Sequence, residues 1–271
     1  MIESFDIELD AATLPVIEAG EGIPVVFLHA GVCDHRQWLT QIEPVAGAGY
    51  RAIAYDRRGY GNAISADEPF SHLDDLEAVL EALDIHTALF VGCSMGGGLA
   101  LDFALAHPNR TAGLVLVGTA ITGGGYEFSG NDEVIEAALA DAEERGDPHF
   151  QNLADAHAWL DGPRSQSGRV GGSIRELFFD MNAKALTKQP KLTQQTPPAS
   201  ARDRIAQVAA PTLLVAGDLD FNYILTRHEA LSDELPNAFA TILEGTAHLP
   251  NMERPDLFNP LLLEFLAAVA G

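Results

Sequence analysis

The sequence predicts an α/β fold: a mostly parallel central β-sheet flanked by helices, with a helical cap inserted between two of its strands. Three observations predict it. Apolar runs of strand character recur along the chain, and most are hydrophobic throughout rather than alternating, as strands buried on both faces are. Helical patterns separate these runs, and strand–helix alternation builds a parallel sheet covered on both sides. One stretch, from about Ile121 to Val208, breaks the rhythm with helical patterns alone.

The elements follow in order. The opening segment, 2–18, adds one or two antiparallel edge strands, and IPVVFLHA (23–30) and YRAIAYD (50–56) are the first buried ones. SHLDDLEAVLEALDI (71–85) is a helix with Ser71 as N-cap and Leu73, Leu76, Val79, Leu80 and Leu83 at helical spacing. HTALFVGC (86–93) is a strand, GGGLALDFALAHP (96–108) a helix that stops before Pro108, and AGLVLVGTA (112–120) another strand. Helical pieces then fill 131–146, 149–162 and 173–186, set off by the loops TGGGYEFSG and QPKLTQQTPPAS. PTLLVAGD (211–218) and AFATILEG (238–245) complete the sheet, and ERPDLFNPLLLEFLAAVA (253–270) closes the chain as a helix. The expected division is a core of residues 1–121 and 208–271, with 122–207 as a cap over the sheet's carboxyl edge.

The 271 residues carry 39 acidic against 16 basic side chains, a formal charge of −23 that repels nucleic acid and anionic lipid. No run of about 18 apolar residues predicts a membrane span. The N-terminus has neither the basic nor the apolar region of a secretory signal, so a cytoplasmic location is the expectation. Two cysteines, Cys33 and Cys93, cannot build a disulfide framework. The histidines show no metal-ligand spacing, so neither metal nor cofactor is expected. The expected state is a monomer or homodimer.

The stretch VGCSMGGGLA (91–100) holds the candidate chemistry. Gly92-Cys93-Ser94-Met95-Gly96 fits G-x-S-x-G between a predicted strand and a predicted helix, the setting of a nucleophile elbow. Such a turn strains the serine backbone and demands small residues two before and two after it, places that glycine fills here. A serine hydroxyl is a weak nucleophile that needs a base, and the base needs an acid. EGTAHLPNMERP supplies His248 between the last strand and the last helix, and LLVAGDLDFNY supplies Asp218 and Asp220, which spacing alone does not separate. Strand alternation turns Cys93 away from Ser94, so it reads as packing.

FLHAGVCDHRQW (27–38), YDRRGYG (55–61), AHPNR (106–110) and GTAHLPNMERPDLF (245–258) extend these motifs. With them the chain resembles the α/β-hydrolase fold superfamily over nearly its whole length. It is most similar to small bacterial serine hydrolases with a helical cap, a group of esterases, lactonases and carbon–carbon bond hydrolases. The resemblance implies Asp220 as triad acid, the second acidic residue of the family's G-[DE]-x-D pattern. It implies an oxyanion hole from the backbone N–H groups of Met95 and Gly31, with Val32 as the alternative donor. Ala30 departs from the family's usual glycine. Val32, Trp159 and Phe178 are the candidate substrate contacts, the last two from a cap set that also holds Phe150, Phe179 and Met181.

The implied reaction is acyl transfer from small or medium carboxylic esters through a Ser94–His248–Asp220 triad. A lactonase or a carbon–carbon bond hydrolase of ring-cleavage products is the alternative, with Arg164, Arg169 and Arg175 as candidates to meet an anionic substrate. A non-catalytic ligand-binding homologue is disfavoured by the intact Ser, Asp and His set, and an acyltransferase differs only in how water is excluded.

Overall fold

The computed structural model describes residues 1–124 and 131–270; positions 125–130 of the TGGGYEFSG loop lie outside them. The chain opens with β1 (Glu3–Leu9) and β2 (Ala12–Ala19), an antiparallel hairpin, and continues into β3 (Ile23–Leu28), α1 (Leu39–Gly47) and β4 (Tyr50–Tyr55). Next come β5 (Ile64–Ser65), α2 (His72–Ala82), β6 (Ala88–Cys93), α3 (Met95–Ala106) and β7 (Thr111–Val117). Between β7 and the next strand stand α4 (Asn131–Arg145), α5 (Pro148–Asp155), a π-helical turn (Ala156–Asp161) and α6 (Gly172–Thr187). The end of the chain supplies β8 (Thr212–Gly217), α7 (Asn222–Glu234), β9 (Ala238–Leu243), α8 (Pro250–Glu253) and α9 (Pro255–Ala270). Sequence reading assigns neither β5 nor α1, where Pro44 interrupts the pattern, nor α7, whose 13 residues bury only Tyr223, Ile224, His228 and Leu231.

The strands form one sheet in the order β1-β2-β4-β3-β6-β7-β8-β9, with β5 paired to β2. β2 runs antiparallel to β4, and every pair from β4 to β9 is parallel. The sheet is therefore mostly parallel and flanked by helices, as the continuous apolar runs require. Side chains alternate between its faces. Val25, Phe27, Val91, Val115 and Val215 join Trp38, Ile42, Phe258 and Leu262 on one side. Val26, Leu28, Phe90, Leu114 and Leu214 join Leu76, Val79, Phe103 and Leu231 on the other. No described helix is long and apolar enough to cross a membrane.

The order of strands places the site. After β3 the chain steps to β4 on one side and then returns to β6 on the other. The loops leaving the carboxyl ends of β3 and β6 thus diverge and leave a crevice between them, the position where open α/β sheets bind ligands. The HAGV loop follows β3 and Ser94 follows β6.

Candidate active site

Ser94 sits between the last residue of β6 and the first of α3 with φ 54° and ψ −116°, a conformation costly for any side chain. Hydrogen bonds on both sides hold it: its N–H donates to Val117 O at 2.8 Å, and its carbonyl accepts from Gly98 N and Ala120 N, both at 3.0 Å. The turn also explains the flanking glycines. A Cβ on Gly92 would lie 2.4 Å from Gly96 O, and one on Gly96 would lie 2.1 Å from Leu28 O. Gly97 is equally confined, since a Cβ there would meet Thr119 Oγ1 at 1.7 Å.

His248, 1% exposed, follows β9 in the loop before α8. Its Nδ1 donates to Asp220 Oδ2 at 2.7 Å, and Asp220 Oδ1 accepts from Phe221 N at 2.8 Å. The imidazole's other nitrogen, Nε2, is buried and has no hydrogen-bond partner among the described residues. Asp218 does something else: its Oδ1 accepts from Gly245 N at 2.6 Å and so ties the β8 turn to the loop carrying His248. The structure therefore brings Asp220, rather than Asp218, to the imidazole. Gly118, with φ 49°, leaves room for this pair; a Cβ there would lie 2.9 Å from both Cε1 and Nδ1 of His248.

The loop after β3 is braced from below. His29 Nδ1 donates to Ala30 O at 2.7 Å, and Arg57 N donates to His29 Nε2 at 3.2 Å, which together define the tautomer. Burial and the Arg57 charge hold the His29 imidazole well below its ordinary range. Ala30 N donates to Gln37 Oε1 at 2.8 Å, and Gln37 Nε2 reaches Asn251 Oδ1 at 3.3 Å, linking this loop to α8 just past His248. Gly31 abuts the start of α3: a Cβ on it would lie 2.5 Å from Met95 Sδ. Met95 is the first residue of α3, so its N–H belongs to the set left without an intrahelical acceptor.

A cavity of about 230 Å³ opens beside the serine, lined by Ser94, Gly118, Ala120, Trp159, Tyr223, Ile224 and Arg227. Trp159 comes from the π-helical turn and lies with its ring centroid 4.8 Å from that of His248 and 4.8 Å from that of Phe221. Val32 lines a separate cavity of about 340 Å³ with Gly31 and Tyr60. Phe178 departs from expectation: it is completely buried in the apolar cluster with Met181 and Leu160, and does not line the cavity beside Ser94. Helix α6 turns this residue into the protein because its own apolar face is spent on packing. Phe150 is exposed, with the Arg145 guanidinium 5.4 Å above its ring.

The three arginines expected to meet an anionic substrate are committed to the protein. Arg164 donates to the carbonyls of Asp218 and Asp220, the second at 2.9 Å. Arg169 pairs with Glu253 and donates to Gly245 O at 2.8 Å. Arg175 pairs with the buried Asp161 at 2.9 Å. The cation lining the serine cavity is instead Arg227 of α7, whose NH1 donates to Thr119 O at 3.1 Å. Sequence reading misses Gly118, Tyr223, Ile224 and Arg227. The glycine ending the VLVG run is the only one with a local signal, a residue free to take positive φ at a strand's carboxyl end.

Among the described residues, Asp34, His35 and Asp56 are the one group of three whose ligand atoms all lie within 4.8 Å of one another. They are engaged with the protein: Arg36 lies on Asp34 at 2.7 Å and His35 on Asp56 at 2.6 Å.

Residues 25–261 match the alpha/beta hydrolase family. The chain is 30% identical to a 2-hydroxy-6-oxo-6-phenylhexa-2,4-dienoate hydrolase of Burkholderia cepacia, over 92% of its own length and 90% of that protein's. It is 27% identical to the non-heme chloroperoxidase CPO-A1 of Kitasatospora aureofaciens, over 91% and 93% of the two lengths. Among solved structures it is similar to Est816, described as an N-acyl homoserine lactone degrading enzyme, with a TM-score of 0.74, 27% identity, and coverage of 96% of this chain and 99% of that one. With its sheet order, elbow geometry and these likenesses in agreement, the chain belongs to the alpha/beta hydrolase family and is a hydrolase by fold and kinship.

Proposed function

We propose that this hydrolase cleaves small or medium carboxylic esters through an acyl-enzyme on Ser94. The observation that carries the reading is the His248 imidazole, held on Nδ1 by Asp220 at 2.7 Å and left with a buried, unpartnered Nε2. Ser94 lines the cavity on whose wall Trp159 packs against that imidazole. A buried nitrogen without a partner is costly, and a serine hydroxyl or a leaving-group oxygen would satisfy it.

In this mechanism Ser94 Oγ attacks the acyl carbon while His248 Nε2 takes its proton. Asp220 keeps Nδ1–H in place and stabilises the imidazolium. The N–H groups of Met95 and Gly31 receive the oxyanion. His248 then gives its proton to the departing alcohol oxygen as the C–O bond breaks. In the second half it takes a proton from water, whose oxygen attacks the ester carbonyl of the acyl-enzyme, and it gives that proton to Ser94 Oγ as the acyl C–Oγ bond breaks and the acid leaves. Residues 122–207 act as a cap over the core of 1–121 and 208–271, with Trp159 on the wall of the acyl pocket.

Lactones, being cyclic esters, fall under the same chemistry, and the likeness to a lactone-degrading enzyme supports including them. The 30% identical dienoate hydrolase favours carbon–carbon bond hydrolysis as the second reading. The test uses p-nitrophenyl esters of graded acyl length and a fluorophosphonate probe on wild type and Ser94→Ala. Ester turnover and probe labelling should both vanish with the serine. Turnover that survives Ser94→Ala refutes the mechanism, and labelling without ester turnover selects the second reading.

A further inference from the structure

The YDRRGYG turn carries two arginines with opposite surroundings. Arg58 is neutralised by Asp75, Nε to Oδ2 at 2.9 Å. Arg57 is 2% exposed, and no ion pair joins it to any carboxylate among the described residues. Its NH2 donates to His29 O at 2.7 Å, its guanidinium lies 5.0 Å above the Tyr60 ring, and its Nε is buried without an acceptor among the described residues.

The imidazoles, thiols and phenol around Arg57 carry no charge. Burial and the Arg57 charge keep the His29 and His72 imidazoles neutral, His72 down to about 3. Burial also pushes up the Cys33 and Cys93 thiols, Cys93 to about 12, and the Tyr55 phenol, so all three stay protonated. Asp56, next in the chain, turns its carboxylate to His35 and to Asn62 N at 2.7 Å and makes no ion pair with Arg57. A guanidinium does not lose its proton in a protein, so its charge persists in the interior. An unpaired buried ion is a stability cost that folding alone gives no reason to keep.

Its place supplies a reason. The carbonyl it holds belongs to the residue just before Ala30-Gly31, and it borders, with Met95 and Gly98, a cavity of about 290 Å³ along α3. Its field reaches the Cys93 thiol, one residue before Ser94. We propose that Arg57 is kept for its charge: a buried guanidinium without an ion pair, behind the oxyanion loop, that favours negative charge on the acyl oxygen held by Gly31 and Met95. The proposal rests on the Ser94 acyl-transfer reading. Arg57 touches no reacting atom and is a positioning residue that acts through its field.

Three variants separate charge from shape. Arg57→Met removes charge and donors, Arg57→Gln keeps a donor without charge, and Arg57→Lys keeps the charge. Each is measured for kcat and KM on p-nitrophenyl acetate, for inhibition by a phenylboronic acid as a tetrahedral anion, and for Tm. Met and Gln should lose about 10- to 100-fold in kcat at nearly constant KM, somewhat less than loss of a direct oxyanion donor. Boronate affinity should weaken in step, and Lys should recover most of both.

Tm should hold or rise as activity falls, since an unpaired buried charge has been removed. The proposal is wrong if Arg57→Gln keeps wild-type kcat, if Arg57→Lys recovers neither kcat nor boronate affinity, or if Tm and activity fall together. Should Arg57→Met not fold, the Gln and Lys pair carries the same comparison. Turnover that survives Ser94→Ala would remove the underlying reading instead, a separate result.

Discussion

Replacing Gly118 by alanine puts one methyl group against the ring of His248. The added carbon would lie 2.9 Å from Cε1 and from Nδ1 and 3.3 Å from Asp220 Oδ2, where ordinary contacts begin at 3.4 Å. Two costs follow. The residue has φ 49°, which a side chain adopts at about 1–2 kcal/mol. The clash is relieved only if the imidazole retreats by about 0.5 Å or the β7 end shifts as far. Displacements of 1 Å at a reacting group cost about 100-fold, so half of that is worth roughly 10-fold in kcat. At about 2–4 °C per kcal/mol for a chain of this size, the backbone cost lowers Tm by about 2–8 °C. Steady-state hydrolysis of p-nitrophenyl acetate and a thermal melt read both quantities. A variant within twofold of wild type in kcat with an unchanged Tm would refute the reasoning, because it would mean that the packing behind the imidazole does not position it.

Asp220→Asn should cost about 10³- to 10⁴-fold in kcat through loss of the tautomer and of imidazolium stabilisation, while Asp218→Asn, which leaves the His248 contact in place, should cost less than about tenfold; kinetics of the two variants side by side decide this. Asp102, whose Oδ2 accepts from Thr122 Oγ1 at 2.6 Å, has its carboxyl raised by burial to about 6. The folded state therefore holds this proton more tightly than the unfolded chain, whose value is about 3.9, so stability is lost as pH climbs from about 4 to 6 and stays lower above that. Asp102→Asn removes the penalty: its Tm should exceed wild type at pH 8, with the gap closing near pH 4, as measured by melts across that range.

The site was legible in sequence where its chemistry is local. An elbow needs glycines at fixed distances from Ser94 because the backbone of one short turn demands them, so five residues suffice to reveal it. The strands were legible because burial on both faces leaves unbroken apolar runs. Asp220 against Asp218 came from family pattern alone; only the fold shows that Asp218 spends its carboxylate on Gly245 N. What stayed hidden depends on how the segment between β7 and β8 lies on the sheet. Trp159 and Phe178 look alike as cap aromatics, yet one lies against the His248 ring and the other is sealed in the core. Arg164, Arg169 and Arg175 read as binding groups because a sequence shows their charge but not the carbonyls and carboxylates they meet.

β7 and β8 are hydrogen-bonded neighbours although the whole stretch from Gly118 to Pro211 separates them in the chain. Because the entropy of closing a loop grows only logarithmically with its length, the sheet is nearly indifferent to how much chain is threaded through that gap. The length of that stretch is thus no obstacle to exchanging it; its packing and polar contacts are. The contacts of Trp159, Arg164 and Arg169 set the terms of any such exchange. A foreign insert lacking them would leave the Asp218 and Asp220 carbonyls without their Arg164 donor and the buried Glu253 without its ion partner, and would bare one face of the His248 ring. Grafted specificity on this scaffold would have to carry that short run, 159–169, along with whatever pocket it brings.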